Sequence, residues 1–281
     1  MAKKVLIAVS EHGFWVEELL KPLDRLEEAG IEYDFIVATG EKTPFPDAGS
    51  LNASYVDPPL GRPVTSREMA NRGRDTDWET LFANRMSLKD WFPVRPYLSA
   101  GTDDRGYLVA LEDYYTAREK TWERLEAYDA LLLVGGGGPI LDMVNNSRLH
   151  NLILGFYYAG KPIAAECYTV TCLAFAREFD TRRSILAGKH VTGHTMEYDY
   201  TADWAIYEND AWVKFEAPPY PLEYILRDTV GPDGEFHGNV GRVTSVIVDY
   251  PFITSRSVAS SDLCGEMLVK VLNDGVVRYG W

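Results

Sequence analysis

The sequence predicts an α/β fold in which helices cover both faces of a parallel sheet, the doubly wound arrangement. Three strand-and-helix cycles carry this prediction. An apolar segment at residues 5–9, a helical pattern from Val16 and an alternating segment at 31–37 form the first cycle. The same order of buried strand, turn and helix recurs from residue 129 and from residue 161. Because parallel strands need a crossover connection, such alternation is typical of a doubly wound sheet.

The first helix is indicated by leucines that follow Val16 at helical spacing and share one face. Gly30 is placed to end this helix, since glycine adopts the left-handed conformation that closes many helices. The strands on either side should be parallel and joined by a right-handed crossover. The chain is therefore predicted to open with a β-α-β unit.

The second and third cycles each place a turn directly after a buried strand. In the second cycle, a strand over 129–134 runs into four glycines, and one helix should extend from Pro139 to just before Gly160. In the third cycle, a strand over 161–166 stops at Cys167, and a buried helix follows. Both turns should lie at the carboxyl edge of the sheet, where such folds bind ligands.

A further strand is predicted over 245–249, followed by a closing helix over 262–273 that is capped by Ser260 or Ser261. Residues 43–106 differ from the rest, because prolines separate short polar and aromatic pieces. Loops this long usually have a role. We therefore expect one domain with a helical insertion at 43–106 that serves as a lid or as a dimerisation segment.

Composition and charge restrict the class of protein. The 281 residues are 46% hydrophobic, and the formal net charge is −14. An acidic surface repels polyanions on average, so nucleic acid is not expected as a partner. No apolar run reaches the roughly 18 residues of a membrane span, and no cleavable export signal is expected. Three cysteines are too few for a disulfide scaffold, which favours a cytoplasmic location.

Cys167 has the position of a nucleophile in a strand–turn–helix elbow. The helix that follows would favour the thiolate, so we expect a thiol pKa below its usual value of roughly 8.5. The alternative is that Cys167 is one more small buried residue. The glycines at 135–138 could present N–H groups to a substrate atom, or could simply form a tight turn. No phosphate-binding glycine motif can be read there.

Several stretches resemble the ThiJ/PfpI superfamily of class I glutamine-amidotransferase-like proteins, in particular its larger glyoxalase III-like and stress-protein branch. The stretches that carry the resemblance lie in order along the chain, at residues 13–19 (GFWVEEL), 128–130 (YDA), 135–139 (GGGGP), 160–167 (GKPIAAEC), 187–193 (AGKHVTG) and 252–260 (FITSRSVAS). The resemblance implies a flavodoxin-like doubly wound sheet with a nucleophile elbow. It also implies a homodimer that needs no cofactor.

The resemblance assigns the nucleophile to Cys167 and a neighbouring acid to Glu18. Glu17 is the rival acid, but Glu18 lies four residues before Pro22, which is the family spacing. Adjacent helical residues cannot both face one site. The resemblance further assigns oxyanion-stabilising backbone N–H groups to Gly136, Gly137 and Tyr168.

The sequence departs from the family at Tyr168, where members that act as hydrolases or glyoxalases usually have histidine. A tyrosine is a poor base at neutral pH, although its hydroxyl can donate a hydrogen bond to an oxyanion. His194 lies where the family places a third residue near the cysteine, and Glu197 follows it. Either residue could replace the missing base. The alternative for His194 is a hydrogen-bonded structural histidine.

These residues predict an enzyme whose Cys167 thiolate attacks a small electrophilic carbon, as a lyase, hydratase or hydrolase of an isonitrile, nitrile or α-oxoaldehyde. The alternative is a redox-sensing stress protein or a holding chaperone without turnover. Glutamine amidotransferase activity is not expected, since no His-x-Glu string follows the elbow, and a large insertion would obstruct a polypeptide substrate. No metal is expected, because His190 and His194 lack the rest of a zinc motif.

Overall fold

A central sheet with helices on both faces organises the chain. The structure, a computed structural model, describes residues 3–57, 62–97, 104–196, 204–208, 211–215 and 221–281. The strands are β1 (Lys4–Ala8), β2 (Glu32–Val37), β3 (Val56–Asp57), β4 (Arg62–Pro63), β5 (Met86–Ser87), β6 (Ala130–Leu133), β7 (Ile163–Glu166), β8 (His190–Val191), β9 (Trp204–Glu208), β10 (Ala211–Phe215), β11 (Glu235–Phe236), β12 (Val246–Asp249), β13 (Phe252–Ser255) and β14 (Arg278–Tyr279).

The helices connect these strands and cover the sheet. They are α1 (Val16–Glu28), α2 (Arg67–Asp75), α3 (Trp78–Leu81), α4 (Leu88–Trp91), α5 (Asp104–Trp122), α6 (Pro139–Asp142), α7 (Ser147–Tyr158), α8 (Val170–Phe175), α9 (Leu222–Val230) and α10 (Ser261–Asp274). Short 3₁₀ turns occur at Ala48–Leu51, Glu123–Ala127, Cys167–Thr169 and Val258–Ser260. No described helix has the length and apolar character of a membrane span.

The main sheet confirms the predicted doubly wound fold. Eight described strands lie in the order β14-β12-β13-β7-β6-β1-β2-β5. Strands from β13 to β5 pair in parallel, whereas β12 is antiparallel to both β13 and β14. The predicted strand at 245–249 therefore joins the sheet by a hairpin and not by a helical crossover.

Alternate residues of the central strands pack into two separate cores. Val5 and Ile7 lie on the face covered by α1 and α10, whereas Leu6 and Ala8 lie on the face covered by α7. Full burial on both faces explains why these strands read as continuous apolar runs in the sequence. The carboxyl ends of β1, β6 and β7 meet at one edge of the sheet, because these strands are parallel neighbours.

The segment at 43–106 is joined to the core of the domain. Trp78 and Phe82 pack edge-on against Phe14, with ring centroids 5.1 and 5.9 Å away, in the same core that α1 faces. The strand β5 also extends the main sheet by pairing with β2. Residues 58–61 and 98–103 lie outside the described residues. The lid or dimerisation role of the segment stays a prediction.

Two local predictions were wrong. The single helix expected from Pro139 is two helices, α6 and α7, because the Asn146 side chain accepts the N–H groups of Arg148 and Leu149 and starts a new helix. Ser260 precedes α10 as predicted, but its hydroxyl accepts the N–H of Ser245 instead of capping the helix. Here a tertiary contact replaces the local one.

Candidate active site

Cys167 lies in a strained turn between β7 and α8. Its φ angle is 55°, in the left-handed region that residues with a Cβ atom rarely adopt. Thr169 stabilises the turn, since its hydroxyl oxygen accepts the N–H of Glu166 at 3.1 Å and lies 2.9 Å from the carbonyl oxygen of Leu133. This residue therefore ties the cysteine turn to the end of β6. Strain of this kind is common where a side chain is held for chemistry.

The glycine turn after β6 leaves space for two functional side chains. A Cβ atom on Gly135 would lie 2.5 Å from a carboxyl oxygen of Glu18 and 2.8 Å from the Cβ atom of Cys167. Gly136 has a φ angle of 120°, and a Cβ atom there would lie 2.6 Å from the backbone of Phe14. Only glycine fits at these positions, because the acid, the cysteine and the start of α1 converge on this turn.

Glu18 faces the sulfur, and Glu17 does not. The Glu18 side chain is fully buried in the first turn of α1 and makes a hydrogen-bonding contact with Cys167. Its two carboxyl oxygens have no nitrogen or oxygen partner among the described residues. Glu17 instead accepts a hydrogen bond from the Thr65 hydroxyl at 3.2 Å, in the 43–106 segment. The structure thus places Glu18 in the site, as the spacing to Pro22 had favoured.

The pKa of Glu18 is raised well above its usual value, chiefly by burial, and the charges of Asp47 and Glu17 raise it further. Burial thus favours the neutral, proton-donating form of Glu18. Burial is also the main cause that raises the pKa of the Cys167 thiol, followed by the charge of Glu18 when that acid is ionised. The expected low thiol pKa is therefore wrong, because burial outweighs the N–H donors of the turn. Ionisation of the thiol requires a neutral Glu18 and a nearby base.

His194 lies against the sulfur and supplies an imidazole there. Its Nδ1 atom is 3.3 Å from the Cys167 sulfur, and its Nε2 atom is 2.7 Å from the Tyr168 hydroxyl. The Tyr168 and His194 rings also stack, with centroids 3.9 Å apart. Gly193, directly before His194, leaves room for α9, because a Cβ atom there would lie 2.8 Å from the Leu226 side chain. Cysteine, histidine and tyrosine therefore form one continuous row of contacts.

The tautomer of His194 follows from the role that it can play. If Nδ1 accepts the thiol proton, Nε2 carries the ring hydrogen and donates it to the Tyr168 hydroxyl oxygen. The hydroxyl then fixes the orientation of the imidazole, as the third member of a nucleophile–base–acid triad does. A hydroxyl that accepts this hydrogen bond keeps its own hydrogen, so its expected donation to an oxyanion stays a prediction.

Backbone N–H groups reach the sulfur from two sides. Those of Tyr168 and Gly136 bond to the Cys167 side chain and lower its thiol pKa, against the larger effect of burial. The N–H of Gly137 does not take part, because it donates to the Asp47 carboxylate at 2.7 Å. The predicted oxyanion role of Gly137 is therefore wrong. Asp47, which belongs to the 43–106 segment, accepts that hydrogen bond instead.

Three neighbours of the site escaped the sequence analysis. Asp47 is buried, which raises its pKa to about 7. Glu166, directly before the cysteine, is fully buried, and burial and then the charge of Glu18 raise its pKa well above the usual value. Leu222, at the start of α9, packs on Cys167 and Tyr168. Of the sequence-predicted residues, Glu197 lies outside the described part of the chain.

Comparisons with known proteins agree with this geometry. The family model for ThiJ/PfpI family-like proteins matches residues 9–198. A search of curated protein sequences finds no match. Among solved structures, the rapid encystment protein of Francisella tularensis has 19% identity and a TM-score of 0.65 over 96% of this chain and 99% of its own.

Two further structures have the same fold. Glyoxalase III from Candida albicans has 15% identity and a TM-score of 0.63, with 97% of this chain and 98% of its own chain covered. Drosophila melanogaster DJ-1beta also has 15% identity, with a TM-score of 0.50 and coverage of 97% and 91%. At such low identity these similarities show the arrangement of the sheet and helices alone.

Proposed function

Because this chain belongs to the ThiJ/PfpI family, we propose that it is a cysteine-dependent enzyme that attacks a small electrophilic carbon without a cofactor. The observation that carries the proposal is the row of contacts from the Cys167 sulfur to His194 Nδ1, at 3.3 Å, and from His194 Nε2 to the Tyr168 hydroxyl, at 2.7 Å. These distances are those of a nucleophile, a base and an orienting group.

The class of substrate that we favour is an α-oxoaldehyde, which the enzyme would hydrate to a 2-hydroxy acid. This reaction moves a hydrogen from one carbon to its neighbour, so it needs a base beside the nucleophile. His194 occupies that position, although the residue after the cysteine is tyrosine. The solved glyoxalase III shares this fold, which supports the same substrate class. Isonitriles and nitriles are the second class, since their hydration also begins with attack on a carbon.

The proposed reaction begins when His194 takes the thiol proton and the Cys167 sulfur bonds to the aldehyde carbon. His194 returns that proton to the aldehyde oxygen, which gives a hemithioacetal and leaves the imidazole neutral. His194 then removes the hydrogen from the hemithioacetal carbon while Glu18, whose raised pKa favours its protonated form, donates a proton to the neighbouring carbonyl oxygen. His194 delivers the hydrogen to the neighbouring carbon, and Glu18 takes back a proton from the hydroxyl on the sulfur-bearing carbon, which yields a thioester of the 2-hydroxy acid. Water cleaves the thioester and restores the thiol. The sum is the addition of one water, with no external oxidant.

The test is a panel of α-oxoaldehydes, isonitriles and nitriles with the wild type, Cys167→Ser and Cys172→Ser. We expect hydration of at least one α-oxoaldehyde by the wild type and by Cys172→Ser, and none by Cys167→Ser. In deuterated water the new C–H bond of the product should carry deuterium, because His194 exchanges the proton it holds. Turnover by Cys167→Ser would contradict the proposal. Absence of turnover combined with suppression of protein aggregation would favour the chaperone.

A further inference from the structure

A second cluster of polar side chains lies on the short sheet that β8 and β11 form. Glu235 and His190 are register partners in this parallel pair. His237 continues β11, since its N–H donates to the carbonyl oxygen of Val191 at 2.7 Å. Because side chains alternate along a strand, Glu235 and His237 point to the same face. Two imidazoles and one carboxylate therefore meet on one small surface.

The ligand atoms of this cluster are close enough to share one ion. The Nδ1 atom of His190 is 2.9 Å from Nε2 of His237, and the other nitrogen of His237 is 3.9 Å from a carboxylate oxygen of Glu235. One ligand atom from each of the three residues lies within 4.8 Å of the others. Both histidines are half-buried, whereas Glu235 is exposed and leaves an open side.

The surroundings hold the His190 ring in place. Trp281 stacks on it with centroids 3.5 Å apart and planes at 8°, and the indole N–H of Trp281 donates to the Val248 carbonyl oxygen at 2.9 Å. The backbone N–H of His190 donates to Asp249 at 2.9 Å, and that carboxylate also binds Lys189. An imidazole fixed in this way loses little freedom when it binds an ion.

We propose that His190, His237 and Glu235 form a binding site for one divalent transition-metal ion of the zinc class. Two histidine nitrogens and one carboxylate are a donor set that zinc and its neighbours prefer, with a fourth position left for water. Calcium and magnesium are not favoured, because they require mainly oxygen ligands. By sequence spacing alone His190 pairs with His194, and those two residues lack the rest of a zinc motif. In the fold the partner of His190 is His237, and His194 belongs to the Cys167 site.

This site is separate from Cys167, but the segment that follows β8 leads from His190 to His194 in the Cys167 site. The Thr192 hydroxyl donates to the His237 carbonyl oxygen at 2.6 Å, and the Thr192 N–H donates to the Thr254 hydroxyl at 2.9 Å. Thr192 thus connects the cluster to the segment that ends in His194. A bound ion would link β8 to β11. It would therefore stabilise the segment after β8 that positions the His194 imidazole at the sulfur.

The test is calorimetric titration of the chelator-treated full chain with Zn²⁺. We expect saturable binding of one ion per chain and a higher melting temperature with Zn²⁺, since an ion that binds only the folded state stabilises it. His190→Gln, His237→Gln and Glu235→Gln should each weaken binding by about tenfold or more. Glu235 is exposed, so its substitution leaves the fold intact and keeps the proposal testable if a histidine variant fails to fold.

Two control variants separate this site from other sources of metal binding. Cys167→Ser removes the reactive thiol and His12→Gln removes an imidazole elsewhere, and both should bind Zn²⁺ as the wild type does. Cu²⁺ bound at the site should also quench the Trp281 indole, so Trp281→Phe should lose part of the quenching seen in the wild type. Absence of saturable binding, or binding that all three ligand variants leave unchanged, would overturn the proposal.

Discussion

Cys167 and Cys172 are both buried and follow the same strand, yet their surroundings differ. Cys172 lies inside α8 in the apolar core, where burial, followed by the charge of Asp142, raises its thiol pKa strongly. Cys167 lies in the turn at φ 55°, with His194 Nδ1 at 3.3 Å and a buried acid beside the sulfur. Burial raises the pKa of both thiols. Of these two thiols, Cys167 alone has described neighbours that can accept its proton and stabilise its anion.

This difference shows what makes a buried thiol chemically useful. Apolar surroundings alone keep a cysteine protonated and inert. Cys167 differs because its sulfur contacts a base, a neutral acid and N–H donors. These groups stabilise the thiolate once His194 has taken the thiol proton. Removing each of these groups in turn tests which of them distinguishes the chemistry of Cys167 from that of Cys172.

The largest effect is expected for His194→Gln. Loss of the base should lower kcat/KM on the substrate that the panel identifies by about a thousandfold, the size typical for a general base. Tyr168→Phe should lower it by less, because the imidazole stays and only its orientation is weakened. Steady-state kinetics and the pH profile provide the measurement. An unchanged rate and pH profile for His194→Gln would make His194 a structural residue.

A smaller effect is expected for Glu18, with Glu17 as the matched control. Glu18→Gln should cut turnover by about a hundredfold, because glutamine donates a hydrogen bond but transfers no proton. It should leave the alkylation rate of Cys167 nearly unchanged, since the raised pKa of Glu18 makes the native acid neutral as well. Glu18→Leu loses the donor and should move the alkylation profile to higher pH.

Glu17→Gln should change neither turnover nor alkylation markedly, because Glu17 faces Thr65. A clear shift of the Glu18→Gln alkylation profile to lower pH would mean that Glu18 is ionised in the wild type. In that case the proton assignment within the pair is wrong.

The smallest effect on chemistry, but a measurable one on stability, is expected for Asp47→Asn. Burial raises the pKa of Asp47 from 3.8 to about 7, so the folded state holds a proton that the unfolded state has released. The stability contributed by this proton is complete below pH 3.8 and is lost as the pH rises towards 7. The loss is on the order of 4 kcal/mol at most.

Asparagine keeps the acceptor for the Gly137 N–H and has no charge to bury. The free energy of unfolding of Asp47→Asn should therefore fall less than that of the wild type between pH 4 and pH 7. Denaturant titrations at several pH values provide the measurement. Parallel stability curves for the two proteins would show that Asp47 does not hold this proton.

Local patterns were sufficient for the parts of the fold that depend on neighbours in sequence. The first β-α-β unit and the elbow at Cys167 follow from short-range patterns, and the structure has them in those places. The choice of Glu18 over Glu17 followed from the resemblance to the family, and the structure places Glu18 at the sulfur. The break between α6 and α7 was missed, because one side chain, Asn146, decides it.

The remaining contacts of the site depend on distant parts of the chain. Asp47 reaches the N–H of Gly137 across 90 positions, and no local signal reports such a contact. The bond between Tyr168 and His194 joins residues 26 positions apart, because β8 brings the histidine to the turn after β7. For the same reason the sequence could not show that His190 meets His237, 47 positions further on.

The most direct test of the central claim is the alkylation rate of each cysteine against pH, measured by mass spectrometry in the wild type and in His194→Gln. We expect Cys167 to react faster than Cys172 and Cys264 at neutral pH, because His194 lies 3.3 Å from its sulfur. We also expect its profile to move to higher pH in His194→Gln, which a difference in access alone would not produce. If Cys167 reacts no faster than Cys172, or if its profile is the same in both proteins, Cys167 is not an activated nucleophile.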